Sequence, residues 1–262
     1  MEWVYEMPVW TASLLIIGGC CALAAAGLYL VRTRYPRYAE ITHNDVAGPV
    51  MATIGTVLAV MLSFMVVVVW QEYDAAGQIV NTEASEIADL YHTVGPLPAA
   101  TRTSVRDGLE RYVHLVVHDE WPLMKEGRAS DAARRTAIAV VEAVQRYQPR
   151  TFGQQNLASE AITHAHNLLD ARRNRLFQNQ QAVPGLVWTM LFFVAGITLA
   201  STYFFRVASA RAHVAMALAL AAVVGATFVM IAELDLPFRG PMQIDAGAFS
   251  MDAIVFNEEP NR

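Results

Sequence analysis

Charge is scarce in this chain. Asp, Glu, Lys and Arg make up 16% of its 262 residues, against roughly a quarter in a soluble domain. Cysteine is nearly missing: Cys20 and Cys21 are the only two, adjacent and inside an apolar run. Neighbouring thiols close no useful loop, and no metal-type spacing exists, so a disulfide scaffold and a thiolate metal centre are both excluded. They read as small hydrophobes of a membrane helix. A basic stripe is also lacking. The net charge is −5, which argues against a nucleic-acid partner. There is no P-loop, no GxSxG, no HExxH and no Rossmann glycine pattern, so no catalytic residue, cofactor or enzyme activity is indicated. Strand signals are nearly absent, and neither repeats nor low-complexity tracts are evident.

What is present is apolar. Hydrophobic residues make up 55% of the chain, and the mean hydropathy of +0.31 points to a membrane protein. A spanning helix needs about 20 mostly apolar residues. Four stretches qualify: 8–31, stopped by Arg32; 46–71, between Asp45 and Glu72; 182–205, stopped by Arg206; and 212–232, stopped by Glu233, with His213 at its edge. The first reads as a retained span rather than a signal peptide. Only Glu2 and Glu6 precede it as charges, its apolar run is too long, and Arg32, Arg34 and Arg37 follow at once.

Residues 72–181 have ordinary polarity and read as four helices. Gln71 to His92 has no breaker and carries Ile79, Ile87 and Leu90 at helical spacing, so it prolongs the second span. Gly95-Pro96-Leu97-Pro98 ends it. The next helix is expected from about Thr101 to Trp121, with Val105, Leu109, Tyr112, Val113 and Val116 on one side, ending before Pro122. A third starts after the N-cap Ser130 and ends near Tyr147; a fourth runs from about Gly153 to Gln180 and leads into the third span across Pro184. The expected fold class is thus an all-α membrane protein: a transmembrane hairpin over 1–71, an antiparallel helical bundle over 72–181, a second hairpin over 182–232 and a tail over 233–262.

With an even number of spans, both termini and the bundle share one side, and the short loops 32–45 and 206–211 share the other. Those loops carry Arg32, Arg34, Arg37, Arg206 and Arg211, whereas no Lys or Arg occurs from Gln71 until Arg102. On the bundle's side the exceptions are Arg172, Arg173, Arg175 and Arg239. The charge bias favours cytoplasmic short loops. On the bundle side, Glu72, Asp74, Glu83, Glu86 and Asp89 follow one another with no basic residue, and Glu233 and Asp235 end the fourth span. Glu72, Asp74, Glu233 and Asp235 form a candidate acidic mouth that concentrates cations; the alternative is a solvated helix face.

The second span holds the most detailed pattern. His43, Asn44 and Asp45 form its cap and loop, with Gly48-Pro49 in the first helical turn, where proline is tolerated. Gly48, Ala52, Gly55 and Ala59 form a small-residue track, as do Gly18, Gly19, Ala22 and Ala25 in span one; such faces let helices approach closely. Thr53, Thr56, Val60, Ser63 and Val67 form a second track of hydroxyls and an aliphatic collar, a candidate pore lining. Packing alone is the alternative. His114 and His118, four apart, are the only metal-ligand pair by spacing, with Glu110, His92, His164 or His166 as third-ligand candidates; a helix-surface pair is the simpler reading, and no metal is assigned. Trp121 reads as a buried aromatic closing the bundle. Arg239 is placed to fold back onto Asp235 or Glu233 as an interfacial latch.

His43-Asn44-Asp45-Val46-Ala47-Gly48, Trp70-Gln71-Glu72-Tyr73, Asp119-Glu120-Trp121-Pro122 and Leu234-Asp235-Leu236-Pro237-Phe238-Arg239-Gly240 together resemble the bestrophin-like family of bacterial membrane proteins. More distantly, the plan is similar to that of bestrophin ion channels. The resemblance implies a pentameric homo-oligomer in the bacterial inner membrane, a pore lined by the second span with Thr56, Val60, Ser63, Phe64 and Val67 toward its axis, a cytosolic helical domain, and lipid and inorganic ions as partners. The cytosolic domain conflicts with the charge bias above. The phenylalanine-rich neck of bestrophins is missing, since span two has Phe64 alone, and no acid-rich calcium clasp is recognisable. The acidic mouth favours cations. A membrane-anchored sensor or scaffold is the alternative from another class, and a metal-dependent membrane enzyme would rest on His114 and His118 alone.

Overall fold

The structure is a computed structural model that describes residues 8–34, 44–205 and 209–249. Eight α-helices and no strand occur among the described residues: α1 (Val9–Arg34), α2 (Asn44–Thr93), α3 (Ala99–Leu115), α4 (Trp121–Lys125), α5 (Asp131–Gln145), α6 (Phe152–Gln178), α7 (Gly185–Thr202) and α8 (Ala210–Asp235). α1, α2, α7 and α8 are long and apolar enough to cross a membrane. The chain is an all-α membrane protein. It divides into two units. The first takes the chain up to Tyr73, Ala182–Leu236 and Gly240–Met242; the second takes Asp74–Gln181, Pro237–Arg239 and the chain from Gln243. α2 runs unbroken across that division for 50 residues.

In the first unit, α1 packs along α8, and the closest approach is at Gly225. A Cβ there would lie 3.0 Å from the Ile17 Cα and 3.4 Å from the Cys20 sulfur. Gly27 similarly makes room for Tyr203, whose hydroxyl would be 2.5 Å from an added Cβ. The small residues singled out in the sequence are not the ones used: a Cβ on Gly18, Gly19, Gly48 or Gly55 would touch nothing within 4 Å. The packed face of α2 is aliphatic instead. Leu58, Leu62 and Val69 join Trp188 and Leu191 of α7 and Val224, Phe228 and Ile231 of α8 in one core. Arg32 reaches His213 at 2.9 Å through Nδ1, and His213 Nε2 lies 2.9 Å from the Thr202 carbonyl. Arg32 can only donate and a carbonyl can only accept, so His213 is the neutral Nε2–H tautomer.

The second unit is a helical bundle around α2. Its core stripe along α2 is Ala76, Val80, Ile87 and Leu90, continued by Val94 just past the helix end, spaced alternately by three and four residues except for one gap, which Glu83 fills. The stripe falls on Val80; Ile79 is only partly buried. On α3 the stripe is Val105, Leu109 and Tyr112, and Val116 continues it into the next turn. The helix does not stop before Pro122, as the sequence suggested. It widens into a π turn over Val116–Glu120, in which the Trp121 N–H reaches back five residues to the Val116 carbonyl. It then continues as α4, and the widened turn ahead of Pro122 lets this residue, which has no N–H to donate, sit inside the continuing helix. Ser130 caps α5 by accepting from the Ala133 N–H, and Thr151 caps α6 by accepting from that of Gln154. α6 stops at Gln178, and the third span starts only at Gly185 with Pro184 in the cap position.

Four charges meet in the middle of this bundle. Arg175 and Glu83 are fully buried and bonded twice, at 2.7 Å and 3.0 Å. Arg175 also donates to Glu120 at 2.8 Å, and Arg172 donates to the second oxygen of Glu120 at 2.5 Å. Tyr112 donates to Glu83 at 2.6 Å, and the Ser130 N–H donates to Glu120 at 3.1 Å. The Trp121 ring lies 5.0 Å from the Arg175 guanidinium and packs edge-on against Phe238 and Phe249. Trp121 thus closes the bundle as expected, but Glu83 does not belong to an acidic mouth. Burial opposes the charge of Arg175, yet the adjoining Glu83 carboxylate more than offsets this and raises its pKa. Burial, reinforced by the Glu83 charge, holds the Tyr112 phenol well above its ordinary value.

Four predictions follow from these contacts. Arg175→Met leaves Glu83 without its cation and lowers the stability of the helical unit by about 3–5 kcal/mol, read as a lower denaturation midpoint of the purified protein. Above pH 10 the Tyr112 phenol ionises in the unfolded chain while the folded bundle keeps it protonated, so stability falls as pH rises. Tyr112→Phe flattens that fall between pH 10 and 11. Gly225→Val forces α1 away from α8 at a cost of about 1–3 kcal/mol, measured the same way.

Candidate pore-lining face

Thr53, Thr56, Val60, Ser63, Phe64 and Val67 are all exposed in the single chain. At 3.6 residues per turn, they fall within an arc of about 100° on α2. The aliphatic residues Leu58, Leu62 and Val69 face the core formed with α7 and α8. The structure therefore brings the six candidates to one face, and this chain leaves that face unpacked. The hydroxyls of Thr53 and Thr56 donate to the Pro49 and Ala52 carbonyls one turn back, at 3.0 Å and 2.8 Å. Their protons are used within the helix, and their oxygen lone pairs point outward as acceptors. Below them Val60, Phe64 and Val67 form an apolar collar, with Phe64 68% exposed. Pro49 lies inside the helix, at its sixth residue, and not in its first turn. His43 lies outside the described residues, and the helix begins at Asn44.

The four candidate mouth acids have different environments. Glu72 and Asp74 are exposed on α2, and Asp74 accepts from Gln78 at 2.7 Å. Asp235 is engaged at the start of the third span: it accepts from the Val183 N–H at 2.6 Å and from Trp188. Glu233 is buried, and its Oε2 has no hydrogen-bond partner. Two of the four acids thus face solvent. Arg239 is committed elsewhere. Its guanidinium reaches the Asn179 carbonyl at 3.5 Å and lies over Gly127, where a Cβ would be only 2.6 Å from Nη2. Gly127 also has a φ of 71°, so this close turn takes glycine on both counts.

His114 and His118 stack with ring centres 4.3 Å apart, and His118 Nδ1 is bonded to the His114 carbonyl at 3.0 Å. No third metal-ligating side chain joins them among the described residues. A different group of such side chains does converge: Glu86, Asp89 and His164, with donor atoms within 4.8 Å of one another. The sequence offered His164 only as a distant third ligand. Its meeting with Glu86 depends on how α6 packs against α2, which no local spacing reveals.

The arrangement of four membrane-length helices with a bundle between the second and third is shared by solved structures. Two crystal structures of point variants of a bacterial bestrophin homolog from Klebsiella pneumoniae superpose with TM-scores of 0.70 and 0.66 at 12% and 14% identity, each covering 93% of this chain and 99% of the other. A point variant described only as a membrane protein gives a TM-score of 0.67 at 13% identity, again over 93% of this chain and 99% of the other. At such identities the likeness speaks for the fold. No curated protein matches in sequence. The Bestrophin-like domain family matches residues 18–249, nearly the whole chain. The chain belongs to the Bestrophin-like domain family.

Proposed function

We propose that this chain is the subunit of an oligomeric ion channel, with the exposed face of α2 turned toward an axial pore. The observation that carries the reading is the two-sided character of α2. One face is aliphatic and packed on α7 and α8, and the other presents threonines, a serine, a phenylalanine and valines that the chain does not cover. A helix that met only lipid would need no hydroxyl track. Within one subunit the spans pack against each other, so the conduit belongs on a symmetry axis between copies. The likeness to a bacterial bestrophin homolog supports this plan, and the bestrophin resemblance makes the ring a pentamer in a bacterial inner membrane. Its partners are then lipid, other copies of the chain and inorganic ions. Glu72 and Asp74, exposed on the same helix, favour cations at the entrance. Nothing in this reading calls for catalysis.

Purified protein in liposomes is expected to pass monovalent cations. Val60→Trp fills the exposed face and abolishes flux while leaving the packed face of α2 intact. Replacing Glu72 by Gln and Asp74 by Asn together lowers cation flux several-fold at low salt and much less at high salt, where exposed charges are screened. Verified oligomers that pass no ion, or undiminished flux through Val60→Trp, contradict the proposal.

A further inference from the structure

Glu86 and Asp89 lie three residues apart on α2, so their carboxylates share one face a turn apart. Opposite them, α6 presents His164 and, three residues on, Asn167. His164 Nδ1 lies 2.7 Å from one oxygen of Glu86, and the Asn167 amide donates to the other at 3.1 Å. The three donor atoms of Glu86, Asp89 and His164 fall within 4.8 Å of one another. A tetrahedral ion with bonds of about 2.1 Å sets its ligand atoms about 3.4 Å apart. One pair stands at 2.7 Å and none exceeds 4.8 Å, so the three atoms already lie near that spacing. No Lys or Arg is paired with Glu86 or Asp89 among the described residues.

We infer that Glu86, Asp89 and His164 form a binding site for a divalent transition-metal ion, of which zinc is the representative. One imidazole nitrogen and two carboxylates suit zinc or its first-row neighbours; calcium takes six to eight oxygen ligands, and this site offers too few. Asn167 fixes the orientation of Glu86, as outer-shell partners of metal ligands do. Glu86 and His164 are largely buried, with side chains 17% and 21% exposed, while Asp89 is exposed. The ion therefore has an entry path, and a fourth position remains for water. Once bound, it ties α2 to α6 within the helical unit. Without it, His164 and Glu86 keep their mutual hydrogen bond. This site differs from the His114 and His118 pair, and the inference does not depend on the channel reading.

The test uses the full chain in detergent, loaded with zinc chloride, passed over a desalting column and analysed for metal. Wild type is expected to retain stoichiometric zinc and to unfold at a higher temperature with zinc than without. His164→Ala and Glu86→Gln lose both the metal and the thermal shift. His114→Ala with His118→Ala keeps both. Asp89→Asn, at an exposed position where folding is not at risk, weakens zinc binding about tenfold or more. A wild-type protein that retains no zinc overturns the inference. So does retention by the folded Asp89→Asn and Glu86→Gln variants at wild-type affinity, or loss of zinc with the His114 and His118 pair alone.

Discussion

Two carboxylates and two guanidinium groups lie side by side in the helical unit, and everything around them must accommodate that fact. A single ion buried in such a setting is costly by several kcal/mol even after relaxation. Glu83 and Glu120 against Arg172 and Arg175 balance in charge, and both arginines share Glu120. The group is thus acceptable only when α2, the π turn and α6 are all in place. Tyr112, Ser130 and Met124 complete it: Tyr112 bonds Glu83, the Ser130 N–H bonds Glu120, and Arg175 Nη1 lies 2.7 Å from the Met124 sulfur. Partial assembly leaves a buried charge unpaired, so the network specifies which helices meet and in what register. The π turn ahead of Pro122 belongs to the same solution, because it delivers Glu120 and Trp121 to the interior on consecutive positions.

The membrane-length helices follow another rule. In a bilayer, apolar burial does not drive helix association, and close packing does. Gly225 and Gly27 provide that packing within the first unit. The glycines of α2 and the first pair in α1 do not, and their open surroundings leave them for lipid or for other copies of the chain. The same division appears along α2. Its aliphatic side closes the core with α7 and α8, and its hydroxyl-bearing side stays open. The chain is complete as a fold with that side uncovered, which is the reason the proposed pore is placed on an axis between copies.

Much of this was legible in the residues. Long uncharged runs pointed to the four helices of membrane length, and the absence of a breaker between Gln71 and His92 revealed the single long α2. Ser130 was readable as a cap because capping is local. The π turn was not, since Pro122 signals a stop unless the preceding turn can widen. The charge network leaves a trace in the sequence: Glu83 occupies a core position in the stripe from Ala76 to Val94, and Arg172 and Arg175 continue the stripe of Ala161, Ala165 and Leu168 on α6. A charge at a core position demands an opposite charge from another element, but which element is a tertiary question. The same holds for Arg239. Its spacing from Asp235 suggested a latch, and its position over Gly127 depended on a turn about 110 residues earlier in the chain.

The proposed channel requires that further copies of the chain complete the open face of α2 around an axis. Measuring the mass of the purified, detergent-solubilised assembly by native mass spectrometry tests it most directly. A closed ring of four to six chains, five by the resemblance to bestrophins, is the predicted result. A monomer or dimer at concentrations where the protein is folded would contradict the claim, because neither can enclose an axial pore.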